Sequence, residues 1–320
     1  MKILANDGLD KSGVKALENM GFSVLNEKVN GEDLAKFINQ NNIEVLLVRS
    51  ATQVRKALID QCPNLKIIGR GGVGMDNIDV DYARSKNIHV INTPSASSAS
   101  VAELVFAHLF TGARFLEDSN RKMPQIGATN FSELKKAYAK GIELRGKTIG
   151  IVGMGRIGQE VAKIALGMGM RVIAADSNVG RASIKVTFYN NQYINVDIET
   201  EPLDEIIRHA DFITFHVPSQ VGGYMIGENE INLMKDGVAV INCSRGGIID
   251  EKALVRALDS GKISFAGLDV FENEPYPSMD VLTHPKISLT PHTGASTLEA
   301  QDRIGLSLAE QIWNIVQAQG

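Results

Sequence analysis

Lys147-Thr148-Ile149-Gly150-Ile151-Val152-Gly153-Met154-Gly155-Arg156-Ile157-Gly158 joins a short apolar run to a glycine-spaced turn. The first six residues read as a buried strand. The helical spacing of Val161, Ala162, Ile164 and Leu166 then predicts an amphipathic helix. A second apolar run, Arg171 to Ala175, ends at Asp176, roughly 20 residues beyond the glycines.

Strand, G-x-G-x-x-G, helix, strand and acid together make a dinucleotide-binding fingerprint of the Rossmann type. Gly153 permits the tight turn. Gly155 lets a pyrophosphate approach the backbone, and Gly158 lets the helix lie close to the strand. The helix N-terminus offers free N–H groups to phosphate. Asp176 can accept from both ribose hydroxyls and would repel a 2′-phosphate, so NAD is the expected cofactor.

The motif sits near the middle of a 320-residue chain, which has length enough for two domains. Before it, short apolar runs alternate with helical spacing. The candidate strands are Lys2 to Ala5, Phe22 to Leu25, Val45 to Val48, Lys66 to Ile68 and His89 to Ile91. After it come Phe212 to Phe215, Val238 to Ile241, Ile263 to Ala266 and Lys286 to Leu289. Such alternation implies an α/β chain with parallel sheets. A long helix is expected from about Ser98 to Asp118. The lysine-rich stretch from Asn120 to Gly141 reads as a connection or arm. Ile184 to Tyr189 and Tyr193 to Ile198 read as a surface β-hairpin. The last helix is expected from about Ser296 to Gln317.

Composition narrows the function classes. The chain is 44% apolar and 22% charged, with a net charge of −4, and has no long basic block. A nucleic-acid partner is not expected. No apolar run approaches the length of a membrane helix, so no membrane partner is expected either. Two cysteines make no disulfide framework and no metal pair. No metal is expected, and a reducing, cytoplasmic setting suits the sequence.

Three polar segments follow buried strands, where α/β sheets place ligands. They are Asn242 to Gly247 with Arg245, Asp269 to Pro275 with three carboxylates, and Pro291 to Thr297 with His292. Hydride transfer from an alcohol requires a base for the hydroxyl proton, a group that orients that base, and a cation for the substrate. His292, Glu274 and Arg245 supply one of each. His216 is a candidate cofactor neighbour. His89, His108, His209 and His284 read as scaffold or surface.

These residues, with Gly69 to Asp79, Asn92 to Pro94 and Ala102 to Leu104, resemble the D-isomer-specific 2-hydroxyacid dehydrogenases over nearly the whole chain. Gly294 to Gln301 is most similar to the phosphoglycerate branch. The resemblance implies two doubly wound parallel-sheet domains, with a Rossmann cofactor domain (97–292) inserted in a flavodoxin-like substrate domain (1–96 and 293–320).

It implies that Arg245, Glu274 and His292 are catalytic. It places Gly153, Gly155, Arg156, Ile157, Gly158, Asp176, His216, Val217, Pro218, Cys243, Ser244, Asp269 and Gly294 at the cofactor. It assigns the substrate to Arg49, Arg70, Gly72, Val73 and Gly74. The implied partners are a small 2-hydroxy or 2-keto acid and a second copy in a homodimer. The implied reaction is oxidation of a D-2-hydroxy acid, 3-phosphoglycerate first. Reduction of hydroxypyruvate or glyoxylate, and NAD sensing by a corepressor-like protein, are the alternatives. Because the sequence ends at Gly320, no serine-binding regulatory domain is expected.

Overall fold

The computed structural model describes residues 1–219 and 222–318. Gly320, on which the expectation about a regulatory domain rests, lies outside them. The chain divides into two compact units, Met1–Ser100 with Ala295–Gly320, and Val101–Gly294. In sequence, the second lies inside the first.

In the first unit the elements are β1 (Lys2–Ala5), α1 (Lys11–Asn19), β2 (Ser23–Leu25), α2 (Gly31–Gln40), β3 (Val45–Val48), α3 (Lys56–Gln61), β4 (Ile67–Arg70), α4 (Val80–Ser85) and β5 (His89–Asn92). The sheet is parallel, in the order β2-β1-β3-β4-β5. This is the flavodoxin-like order, whose switch point lies between β1 and β3. Successive strand residues face opposite sides, as a two-residue period demands. Ile3, Ala5, Val45, Leu47 and Ile67 enter one core cluster. Leu4, Leu46, Val48 and Ile68 enter the other, with Leu34, Ile38 and Ile59 from the helices.

The second unit begins within α5 (Ser98–Arg114) and continues through α6 (Leu116–Ala137), β6 (Thr148–Val152), α7 (Arg156–Gly167), β7 (Arg171–Ala175), β8 (Arg181–Thr187) and β9 (Tyr193–Glu199). There follow α8 (Leu203–His209), β10 (Phe212–Phe215), α9 (Glu228–Leu233), β11 (Val238–Asn242), α10 (Glu251–Ser260), β12 (Ile263–Leu268), α11 (Met279–Leu282) and β13 (Ile287–Leu289). The final helix, α12 (Leu298–Gln317), belongs to the first unit. There Ile304, Leu308 and Ile312 share a core with Ile3 and Leu17.

The sheet of the second unit has the order β13-β12-β11-β10-β6-β7 and is parallel. Strand order reverses between β6 and β10, which opens a crevice at their carboxyl ends. Core clusters fill both faces. The sheets are thus doubly wound in each unit.

Two expectations need correction. The long helix stops at Arg114, because Phe115 takes a left-handed conformation (φ 54°). The stretch read as an arm is helical, with Pro124 inside it and non-helical angles at Asn130. Pro124 and Gly127 are helix breakers in sequence, and they masked the helix-forming Glu, Lys and Leu around them. The hairpin is found as expected at the surface of the second unit, with Tyr189 and Tyr193 exposed, and its other face packs inward. Its inward residues Ala182, Ile184, Val186 and Ile198 are buried with Val161, Ala162 and Ala165 of α7. Thr200, just past it, forms a single parallel bridge to Ala174 beside the sheet edge.

Among the described residues no single helix is long and apolar enough to cross a membrane. The bent pair α5 and α6 reaches the length together, at 55° to one another. Val101, Val105 and Leu109 of α5 are buried in the core.

Candidate functional site

The glycine-rich turn lies at the crevice between β6 and β10. Gly153 has φ +99°, and a Cβ there would come within 2.5 Å of the His216 carbonyl oxygen. Gly158 is tighter still, since its Cβ would sit 2.0 Å from the Gly153 oxygen. At Gly155, by contrast, a Cβ would meet nothing within 4 Å. Two glycines therefore let the backbone close on itself, and the third leaves an open face at the start of α7. A cavity of about 610 Å³ adjoins that face, lined by Gly153, Gly155, Asp176, His216, Val217 and Pro218 among others.

His216 donates or accepts through Nε2 at Thr214 Oγ1 (3.1 Å), while its buried Nδ1 has no partner among the described residues. Burial pushes its pKa down to about 3, so the ring is neutral and able to serve a ligand polar group. These features fit a dinucleotide.

Asp176 is more committed than its sequence position implies. Met154 N–H donates to Oδ2 (2.7 Å), and Asn178 and Val179 N–H donate to Oδ1 (2.8 and 3.0 Å). Three of the carboxylate's roughly four acceptor positions are thus used within the chain.

The other cofactor candidates do not line this cavity. Arg156 is exposed and Ile157 half-buried, both in the first turn of α7. Cys243 and Ser244 are buried at the end of β11. Burial, then the charge of Asp269, raises the Cys243 thiol well above its ordinary value, so it is a thiol and not a thiolate. Asp269 is 1% exposed and works internally. It accepts from the Thr290 hydroxyl (2.6 Å), Thr293 N–H (2.7 Å) and Gly294 N–H (2.8 Å).

That clamp holds the loop carrying His292. The imidazole Nδ1–H donates to Glu274 Oε2 at 2.8 Å, and Glu274 Oε1 accepts from Phe271 N–H at 3.0 Å. Burial raises the Glu274 carboxyl. The bonds from His292 and Phe271, with the charges of His292 and Arg245, outweigh it and hold the carboxyl below its ordinary value. Gly246 explains how Arg245 comes close. A Cβ at 246 would overlap the Phe271 carbonyl oxygen at 1.9 Å, so only glycine lets this loop lie on the Glu274 loop. Arg245 donates through Nη1 to Ser244 O (2.7 Å), and its own carbonyl accepts from Asn242 Nδ2 (2.8 Å).

Glu272 is occupied elsewhere. It accepts from Glu251 N–H (2.9 Å) and from Tyr224 (3.3 Å). A cavity of about 400 Å³ lies beside Glu274 and His292, walled by Phe271, Pro275, Leu282 and Leu289.

The substrate candidates lie in the first unit, at the carboxyl ends of its strands. Arg49 follows β3, and Arg70 closes β4. Gly72 has φ +149°, and a Cβ there would come within 2.3 Å of Arg70 Nη1. Val73 is exposed. The loop from Gly72 to Gly74 is tied down by Asn92 Nδ2 donating to Val73 O (2.6 Å) and by Thr93 N–H donating to Gly72 O (3.1 Å).

Sequence reading missed the support beneath Arg49. Asp7 accepts from Arg49 N–H (2.8 Å), Thr52 N–H (3.0 Å) and the Thr52 hydroxyl (2.6 Å). Asn77 donates to the carbonyls of Arg49 (2.8 Å) and Thr52 (2.7 Å). Only the position of Asp7, just past β1 at the switch point, could have flagged it.

A model of the D-isomer-specific 2-hydroxyacid dehydrogenase NAD-binding domain matches residues 106–294. The chain belongs to that family. Hydroxypyruvate reductase of Thermotoga maritima is 41% identical over 318 residues, covering 98% of this chain and 97% of its own. D-3-Phosphoglycerate dehydrogenase of Methanocaldococcus jannaschii is 40% identical over 320 residues, which is 58% of its length. The chain thus spans little more than half of that relative. The solved D-lactate dehydrogenase from Aquifex aeolicus, complexed with NAD and lactic acid, superposes with a TM-score of 0.76 at 28% identity, covering 99% of this chain and 96% of that one. The glycine-rich turn and its cavity accordingly belong to an NAD-binding domain.

Proposed function

We propose that this chain catalyses NAD-dependent oxidation of a D-2-hydroxy acid and the reverse reduction of the keto acid. The observation that carries this reading is the His292–Glu274 hydrogen bond, with the Arg245 loop resting against it. Bound NAD supplies the hydride acceptor. With Nδ1–H committed to Glu274, the Nε2 of His292 is the atom left to take the hydroxyl proton, and in reduction to return it. Glu274 orients the ring and stabilises its charged form. Arg245 holds the substrate carboxylate and polarises the carbonyl. Arg49, Arg70 and the backbone from Gly72 to Gly74 are proposed to bind the substrate.

The first substrate reading is 3-phosphoglycerate, supported by the phosphoglycerate dehydrogenase relative and by the two arginines. A second reading, hydroxypyruvate, is favoured by the near-complete mutual coverage with the hydroxypyruvate reductase. The assembly is proposed to be a homodimer, in a reducing cytoplasm that suits two free, buried cysteines.

One experiment tests the reading: a panel of 2-keto acids assayed with NADH and with NADPH. Reduction of a keto acid with NADH strongly preferred is expected, because Asp176 faces the cavity. If 3-phosphohydroxypyruvate is the substrate, Arg49→Ala raises its KM more than that of hydroxypyruvate. A panel without turnover rejects the enzyme reading and leaves NAD binding alone.

A further inference from the structure

His108 sits on α5 among Val105, Leu109 and other core residues, and is only 2% exposed. A buried imidazole is costly unless both nitrogens are bonded. Here both are. Nδ1 lies 2.8 Å from Ser288 Oγ, and Nε2 lies 3.1 Å from Thr290 Oγ1. The chain makes space for it: a Cβ on Gly267 of β12 would come within 2.5 Å of the His108 Cβ.

The proton direction follows from Asp269. The Thr290 hydroxyl donates to Asp269 Oδ1, so its oxygen must accept from His108. Nε2 therefore carries the hydrogen, and the bare Nδ1 accepts from Ser288. Burial lowers the His108 pKa, against the opposing charge of Asp269, which keeps the ring neutral in that single tautomer. The result is a directed chain, Ser288 to His108 to Thr290 to Asp269.

Asp269 in turn holds the N–H groups of Thr293 and Gly294, and His292 N–H donates to the Thr290 carbonyl (3.0 Å). Between these anchors His292 has φ +54°, a left-handed conformation that a residue with a Cβ keeps only when its surroundings impose it.

We propose that His108 is a positioning residue for His292, holding its loop through Thr290 and Asp269. The proposal deepens the reading in which His292 handles the substrate proton, and rests on it for its effect on turnover. Its structural half stands separately. Loss of the chain should free the loop, weaken the alignment of His292 on Glu274, and slow the proton transfer.

The test uses His108→Leu, which fills the space without bonding, and His108→Gln, whose amide can still donate to Thr290. Thr290→Val breaks the same chain one step later and serves if His108→Leu does not fold. Two readouts are taken: amide hydrogen exchange over residues 290–294 in the NAD-free protein, and steady-state keto-acid reduction. His108→Leu is expected to speed exchange at Thr293 and Gly294 and to lower kcat by about 10-fold to 10²-fold, the scale of a misplaced reacting group. His108→Gln should recover most of kcat. Combining His108→Leu with Thr290→Val should cost no more than either alone. Unchanged exchange at Thr293 and Gly294 overturns the proposal. So does a kcat loss that His108→Gln does not repair. Absence of turnover in wild type would instead overturn the dehydrogenase reading, and the exchange readout would still judge the His108 chain.

Discussion

His292 and Glu274 form a pair in which the proposed chemistry and the geometry coincide, so the sharpest expectations concern them. His292→Ala removes the group proposed to move the hydroxyl proton. It should lower kcat by roughly 10²–10⁴-fold, the usual range for a general acid or base. NADH binding, followed by fluorescence, should survive, because the glycine-rich turn is untouched. Near-wild-type reduction by this variant would mean that another residue does the work. Glu274 gives a stability test with a definite sign. Its folded pKa is lowered, by bonds and charges that outweigh burial. Its stabilising charge is therefore fully present above the unfolded value of ~4.3 and is lost as pH falls through the lower folded value. The stability gap between wild type and Glu274→Gln in urea should shrink as the carboxyl is protonated and close below about pH 4. A gap that persists undiminished into that acid range would contradict the assignment. The sequence offered both residues as candidates by type and by place after a buried strand. It could not show that they meet, because residues 274 and 292 approach through loop conformations, including a left-handed histidine, that carry no local signal.

At the scale of elements, what was legible was periodic. Strands with continuous apolar runs, such as β3 and β10, were readable to the residue. The turn from β6 into α7 was readable because Gly153 and Gly158 have a steric reason and Gly155 faces the cavity. What was hidden depended on partners distant in the chain. α1 has only Val14, Ala16 and Leu17 to suggest an apolar face, and it carries Gly13 in its first turn. That glycine makes sense only against α12. A Cβ at Gly13 would lie 2.6 Å from the Gly305 Cα, and one at Gly305 would lie 2.9 Å from the Gly13 Cα. The two helices cross backbone to backbone. Alanine in a helix normally gains about 1 kcal/mol over glycine. Here the added methyl meets backbone that cannot rotate away, and overpacking of this kind costs about 1–3 kcal/mol. Gly305→Ala should therefore lower the unfolding midpoint of the first unit. A raised midpoint would show that helix propensity wins and that the crossing is looser than the structure has it.

For the molecule as a whole, the surface of the second unit poses the question that the sequence alone could not. The segment read as an arm is a helix, and it leaves large apolar side chains in solvent. Leu116, Met123, Ile126 and Phe131 are 50%, 44%, 40% and 59% exposed, with Phe110 and Phe115 nearby in the chain. Helical packing explains why Leu134 of α6 is buried, but not why these are not. A groove of about 700 Å³ adjoins them, lined by Thr111, Leu116, Glu117, Met123, Ser288 and Leu289. Apolar groups gathered along one segment mark an interaction surface, since each carries a hydration penalty that a partner would remove. The partner proposed for it is a second copy of the chain, paired through the second unit. Sedimentation at micromolar concentration should then give a species of twice the 34.7 kDa chain mass. Replacing Met123 and Ile126 together by aspartate places charge where the apolar contact would form. Neither residue reaches a core cluster, so the variant should keep its circular dichroism and sediment as the monomer. A wild-type protein found only at 34.7 kDa would reject the dimer, and a charged variant that stays dimeric would move the interface away from α6.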